Sequence, residues 1–258
     1  MREFTNLSWP QTPYGVDKRP FGRPVRLLTG LSVQWADNGS QAVPVAAAAV
    51  FLPVHRTATV LVDLPTLHFG YRVLATEGDR EAPELVAFLD GVLVQGRRDS
   101  AGLAWHSFAD DVGALLTYAP GRMPGITAVA DGWADRSARE RGTAQLTDTA
   151  DDSGLSGWSV NAVCRESDLD CPTGDNGILA PAEIQRLYDS PTAATAQTAE
   201  ALGCSALHQA LAVALLAGHT RCHIRWDGTL PLGRLARAVA WDSFPKALTA
   251  TPLDAAGR

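Results

Sequence analysis

The chain has 258 residues, 46% hydrophobic and 19% charged, which is ample apolar material for a buried core. Its 22 basic and 28 acidic residues give a net charge of −6; the longest basic features, Arg97-Arg98 and the scatter Arg136, Arg139, Arg141, are too thin for an electrostatic footprint, so a nucleic-acid partner is not expected. No apolar run approaches the ~20 residues of a membrane span and the opening MREFTNLSWPQ lacks the apolar stretch of an export signal, so no membrane is expected and the cytoplasm or an assembled particle is the expected location.

Residues 1–24 hold Pro10, Pro13, Pro20 and Pro24, a spacing that cannot sustain a helix and predicts an extended arm, with Trp9, Tyr14 and Phe21 available to pack it on its own domain or on a neighbour. From Val25 the pattern is that of strands. Leu31, Val33 and Trp35 alternate with Ser32, Gln34 and Ala36, and Asn38-Gly39 supplies a hairpin turn before the run from Val43 to Leu52. Thr57 to Leu64 and His68 to Ala75 carry the β-branched and aromatic residues of further strands. Leu85–Leu89, Asp90-Gly91 and Val92–Val94 suggest a second hairpin. Together these predict a mainly β region over 25–130, antiparallel, as a sandwich or barrel.

Residues 131–155 have few large apolar residues and many charges, Gly, Ser and Thr, and are expected to be an exposed connection. Residues 156–258 then read as mainly helical with one added strand. Pro181 opens a helix with Ile184, Leu187 and Tyr188 on one face. Ser190-Pro191 reads as the N-cap and first residue of an Ala-rich helix. Ala206 to Ala217 is apolar nearly all round, the signature of a buried central helix. A strand over Cys222 to Trp226, a turn at Asp227-Gly228 and a last helix from about Pro231 to Phe244 complete the α+β reading.

The acidic stretch after Gly157-Trp158-Ser159 draws the chemistry. Asp168 and Asp170, two apart on a strand, would project to one face and hold magnesium, with Asp227 from a later strand as the third carboxylate. This string resembles the signature of the nucleotidyltransferase superfamily, in which a Gly-Ser pair precedes an Asp-x-Asp; the resemblance implies a magnesium-dependent nucleotidyl-transfer site at Asp168, Asp170 and Asp227. Here Trp158 splits the Gly-Ser pair, and Pro172, Gly174 and Gly177 follow where an apolar strand should continue. Asp168, Asp170, Asp175, Asn176 and Glu183 also imitate a calcium loop, although counting back from Glu183 puts Pro172 at the first position.

For zinc, Cys204 and His208 share a helix face four residues apart, with His219, Cys222 and His223 following. The four cysteines, Cys164, Cys171, Cys204 and Cys222, read first as free structural thiols, with two disulfides or one metal as the alternatives. A helix-turn-helix over Thr195 to Leu216 lacks basic residues on its second helix. The pairs Asp110-Asp111 and Asp151-Asp152 diverge on regular structure, and His55, His68 and His106 are scattered. No constellation meets its own spacing rule. The leading expectation is therefore a non-catalytic structural or protein-interaction component of a larger, possibly virion-like assembly, homo- or hetero-oligomeric and with no cofactor, which uses the arm, sheet edges and seven tryptophans for contact. The alternatives are the magnesium enzyme and a calcium- or zinc-stabilised binding module.

Overall fold

A computed structural model describes residues 1–7, 25–55, 57–63, 67–136, 143–190, 196–240, 242–244 and 247–248, with the side chains of Asp79 and Asp175 outside the description. The strands are β1 (Arg2–Thr5), β2 (Val25–Asp37), β3 (Ala42–His55), β4 (Val60–Leu61), β5 (Gly70–Ala75), β6 (Gly102–Trp105), β7 (Gln145–Asp148), β8 (Leu169–Asp170), β9 (Ile224–Arg225) and β10 (Leu230–Pro231). The helices are α1 (Ala82–Asp99), α2 (Phe108–Thr117), α3 (Pro124–Trp133), α4 (Val160–Glu166), α5 (Pro181–Tyr188), α6 (Ala196–Thr220) and α7 (Leu232–Ala240).

Six strands form one open sheet in the order β1-β5-β3-β2-β6-β7. The first four pair antiparallel, whereas β6 runs parallel to β2 and β7 parallel to β6. The class is thus α+β with a mostly antiparallel sheet, as the sequence implies. The sandwich-or-barrel expectation is corrected, because helices rather than a second sheet cover both faces and the sheet does not close. β3 shows why: its run Ala46–Leu52 is apolar at every position, as a central strand buried on both sides must be. Ala46, Ala48, Val50 and Leu52 face the layer of α4, α5, α6 and α7, and Ala47, Ala49 and Phe51 face the layer of α1, α2 and α3.

The second expected hairpin is also corrected. Residues 82–99 form α1, and Leu85, Val86, Leu89, Val92, Leu93 and Gly96 are its buried stripe at helical spacing. Asp90-Gly91 is not a turn: the Asp90 carboxylate accepts the Ile126 amide at 2.9 Å and so caps the first turn of α3. With α1, α2 and α3 present, 25–130 is a mixed region and not mainly β. β7 lies inside the 131–155 stretch expected to be exposed, yet Leu146, Thr147 and Asp148 are buried. The Asn38-Gly39 hairpin is found, with Gly39 at φ +85° and a loop of four residues between Asp37 and Ala42. Most of the proline-rich arm, residues 8–24, and the Pro191 helix start lie outside the described residues. The first five residues supply β1, an edge strand on β5 fixed by Phe4 against Phe244 at 4.6 Å and by Glu3 with Arg72 at 2.6 Å.

Among the described residues α6 is the one helix long and apolar enough to cross a membrane, and 89% of its most apolar window is buried inside the protein. It is the core helix that the run Ala206–Ala217 predicts. It lies across β2 and β3 at very close range: a Cβ built on Gly30 would stand 2.4 Å from the Ala210 carbonyl oxygen and 2.7 Å from the Ala214 nitrogen.

Gly30→Ala is therefore expected to lower unfolding free energy by about 3 kcal/mol through overpacking against backbone. Gly91→Ala, mid-helix and open on all sides, is expected to raise it by about 1 kcal/mol. Urea denaturation of the two variants checks both signs.

Candidate functional site

Of the residues singled out by the acidic string, β8 does carry Asp170, and it pairs parallel with β10 through Leu169 and Leu230. The Leu230 amide donates to the Asp168 carbonyl at 2.9 Å, so the turn holding Asp227, three residues before Leu230, is brought near Asp168, the residue just before β8. All three aspartates are exposed. Asp168 sits in the left-handed region at φ +53°, which breaks the extended register that would align its side chain with that of Asp170. Ser159, the serine of the resemblance, is spent as the N-cap of α4, its hydroxyl accepting from the Ala162 amide.

The calcium candidates are dispersed in role. Asn176 ends a short 3-10 turn, Gly174–Asn176. Glu183 accepts the Ala180 amide at 2.7 Å and caps its own helix α5. For zinc, Cys204 Sγ and His208 Nδ1 are 3.5 Å apart inside the core. Cys222, exposed, and His223 lie beyond the far end of α6, an end about 24 Å from Cys204 and about 18 Å from His208 at 1.5 Å per helical residue. Among the described residues no three His, Cys, Asp or Glu side chains gather to hold a metal ion.

Residues without any motif in the sequence form a tighter constellation. In an open sheet, a ligand crevice forms at the carboxyl ends of parallel strands whose continuations leave to opposite faces. Here β6 continues into α2 on one face and β7 into α4 on the other, so that point lies outside Trp105 and Asp148. Asp148 Oδ1 accepts the amides of Ser107 at 3.1 Å and Ala150 at 3.0 Å, which ties the two departing loops together. Ser107 adopts φ +59° to reach it. His106 donates through Nε2 to the Trp158 carbonyl at 2.8 Å and sets Nδ1 3.0 Å from the Thr149 hydroxyl; burial pushes its pKa down.

Below this edge the Asp111 carboxylate receives two indole N–H groups, from Trp35 at 2.9 Å and Trp105 at 2.7 Å. Trp105 ends β6 and Trp35 lies two residues before the end of the neighbouring β2, so Asp111 clips α2 to both strands. Burial raises its pKa to about 6, against the pull of the two indoles. Asp110, its neighbour in sequence, is exposed. At the outer edge of β7, Arg221 donates to the Leu146 carbonyl at 3.2 Å and to Asp152 at 3.1 Å. Arg136 meets Asp152 at 3.2 Å and Asp151 at 3.0 Å. This ion network covers the backbone groups that an open strand edge would offer.

On the other face, where β2 meets α6, Ser32 donates to the Ala206 carbonyl at 2.7 Å and Gln34 to Gln209 at 2.6 Å. His208, fully buried, donates through Nδ1 to the Cys204 carbonyl at 2.9 Å; burial lowers its pKa to about 4. A shallow open cavity of about 670 Å³ lies at the β2–β3 hairpin, lined by Asp37, Asn38, Gly39, Gln185, Tyr188 and Asp189. The Gln185 amide spans it, bonded to both backbone groups of Asp37 and to Asp189. No protein-family model matches the chain, and no curated protein matches it either. The polar groups at the strand ends bind one another and the chain's own backbone, an arrangement suited to fixing loops.

His208 and Asp111 give stability opposite pH dependences. The His208 pKa lies near 4 when folded against about 6.5 unfolded, so its contribution is intact above 6.5 and is lost as pH falls toward 4. Stability is expected to drop by about 2 kcal/mol between pH 7 and pH 5 on this account, and His208→Leu is expected to remove that slope in urea denaturation. Asp111 has the opposite sign, because a raised carboxyl pKa favours the folded state at low pH, a contribution lost as pH rises through 6. Tryptophan emission is expected to titrate with a midpoint near pH 6 and to lose that transition in Asp111→Asn.

Proposed function

We propose that this chain is a non-catalytic structural or protein-interaction component of a larger assembly. The observation that supports this reading is the state of the carboxyl edge of β6 and β7. Where the topology opens a crevice, His106, Asp148 and Thr149 are bonded to the chain itself, and Trp158 stands at its lip 45% exposed. A tryptophan with that much surface, held through its own carbonyl by His106, has the geometry of an interface anchor. Leu116, Val94, Val60 and Leu61 are further large apolar side chains left open to solvent. The partner class is another protein subunit, identical or different.

A second reading rests on one observation, the β8–β10 pairing that brings the Asp227 turn near Asp168. It is a magnesium-dependent nucleotidyl transfer using Asp168, Asp170 and Asp227.

Light scattering separates the readings. The assembly reading expects a mass above the 27.4 kDa of one chain or a co-purifying protein subunit, and Trp158→Ala is expected to weaken that association at least about tenfold with the fold intact. A strict monomer without partner at all concentrations overturns it. Nucleotide turnover that requires magnesium and is lost in Asp170→Asn would establish the second reading instead. A melting temperature raised by calcium or zinc would favour a metal-stabilised binding module.

A further inference from the structure

The tip of the β2–β3 hairpin places a side-chain amide and a backbone nitrogen that can attack it under one set of hydrogen bonds. The Gly39 amide donates to the Asp37 carboxylate at 2.7 Å. The Asn38 side-chain oxygen accepts three bonds, from the Ser40 hydroxyl at 2.7 Å and from the Ser40 and Gln41 amides at 3.1 Å each. A peptide N–H joined to a carboxylate base and a side-chain carbonyl polarised by three donors are the two halves of an acyl-transfer site. Gly39, at φ +85°, has no side chain to shield its nitrogen, and a Cβ built there would meet nothing within 4 Å. Asn38 and Gly39 are exposed and border the open cavity of about 670 Å³ at the hairpin, so water reaches them and a small leaving group escapes. A second Asn-Gly pair provides the contrast. Asn176-Gly177 has the same two residues, but Gly177 is buried and its amide is bonded to the Gly174 carbonyl at 2.9 Å. The Pro172 backbone crowds Gly177 so closely that no methyl group would fit. The dipeptide is shared and the surroundings are not.

We propose that Asn38 is a site of self-modification, where the folded hairpin converts the side-chain amide through a cyclic imide with Gly39 into aspartate and isoaspartate. The Gly39 nitrogen attacks Asn38 Cγ as Asp37 takes up its proton, and the oxygen charge of the tetrahedral intermediate rests on the three donors. The bond from Cγ to the side-chain nitrogen then breaks, and that nitrogen leaves as ammonia with the proton from Asp37. Water adds to either carbonyl of the imide ring and opens one C–N bond. Attack at Cγ leaves aspartate, and attack at the main-chain carbonyl leaves isoaspartate. One water is consumed, one ammonia is released and no electrons change hands. Either product adds a carboxylate beside Asp37, and isoaspartate also threads an extra methylene into the turn. The change falls next to the clip by which Gln185 of α5 holds the Asp37 backbone, at 2.7 and 2.8 Å, so the modified chain holds α5 to the hairpin less firmly.

The test is incubation of the native full-length chain at neutral pH, followed over time by tryptic mapping with mass spectrometry and by isoaspartate-specific methylation. Cleavage at Arg26, Arg56, Arg165 and Arg186 puts Asn38 and Asn176 on separate peptides, so each reports on its own site. The expected result is conversion of Asn38 to a mixture of aspartate and isoaspartate, at least about tenfold faster than any conversion of Asn176. Unfolding the chain in denaturant is expected to erase that preference. Asp37→Ala is expected to slow conversion of Asn38 at least about tenfold, and Ser40→Ala to slow it less, because two amide donors remain. An unmodified Asn38, an Asn176 that converts as fast in the native chain, aspartate without isoaspartate, or an unchanged rate in Asp37→Ala would each overturn the proposal. Asn38 and Asn176 are compared within the wild-type chain, so the result decides the matter even where a variant folds poorly.

Discussion

The contact on which this architecture depends is the backbone-to-backbone approach of α6 to β2. Gly30 on the strand meets Ala210 and Ala214 on the helix with no room for a methyl group. Small residues on β3, Ala46 and Ala48, widen the same shallow trough, and the helix fills it with eighteen buried residues. Burial of that helix follows from area removed from water, but its depth is set by the missing side chains on the strands. A helix held so close leaves no cleft between itself and the sheet. Ser32 and Gln34, which face it from β2, are consequently turned into internal fasteners.

That constraint explains which parts of the fold are legible in the sequence. The hairpin at Asn38-Gly39 and the central helix over Ala206–Ala217 are local signals, one a turn requirement and the other an Ala- and Leu-rich run that is apolar nearly all round, and the structure contains both. α1 imitates a hairpin for a physical reason. Its stripe Leu85, Val86, Leu89, Val92, Leu93 is helical in period, yet Asp90-Gly91 sits in its middle and carries a turn signature. Only the tertiary structure reveals that Asp90 serves another helix, by capping α3, and that Gly125 lets α3 come within reach, a Cβ there standing 2.3 Å from the Asp90 carbonyl oxygen. β7 is hidden in the same way. Thr147 and Asp148 are polar and buried, which composition counts as exposure, whereas hydrogen bonding makes that burial tolerable.

The candidate site is less legible. Asp168, Asp170 and Asp227 are recognisable as acids in a spaced string, but the β8–β10 pairing cannot be read from two-residue strands. The carboxyl-edge constellation has no sequence signature at all, because His106, Asp111, Asp148 and Trp158 are brought together by the crossing of two connections to opposite faces. Adjacent acids also conceal their difference. Asp110 is exposed, whereas Asp111 is drawn inward by two indoles from separate strands, and nothing in the dipeptide announces which is which.

The acidic excess of the chain thus has a structural use. Asp90 and Glu183 cap helices, Asp148 joins two loops through backbone amides, Asp111 clips a helix to two strands, and Asp152 bridges Arg136 and Arg221 over the sheet edge. Each carboxylate is matched to donors at the termini of elements, where unpaired amides are most costly to bury. Acids held in this way keep little lone-pair capacity for a cation or a transferring group. Beside them Trp158 stands 45% exposed at the carboxyl edge of β6 and β7, next to polar groups already bonded within the chain, and a contact made there would gain from shape and buried area more than from charge.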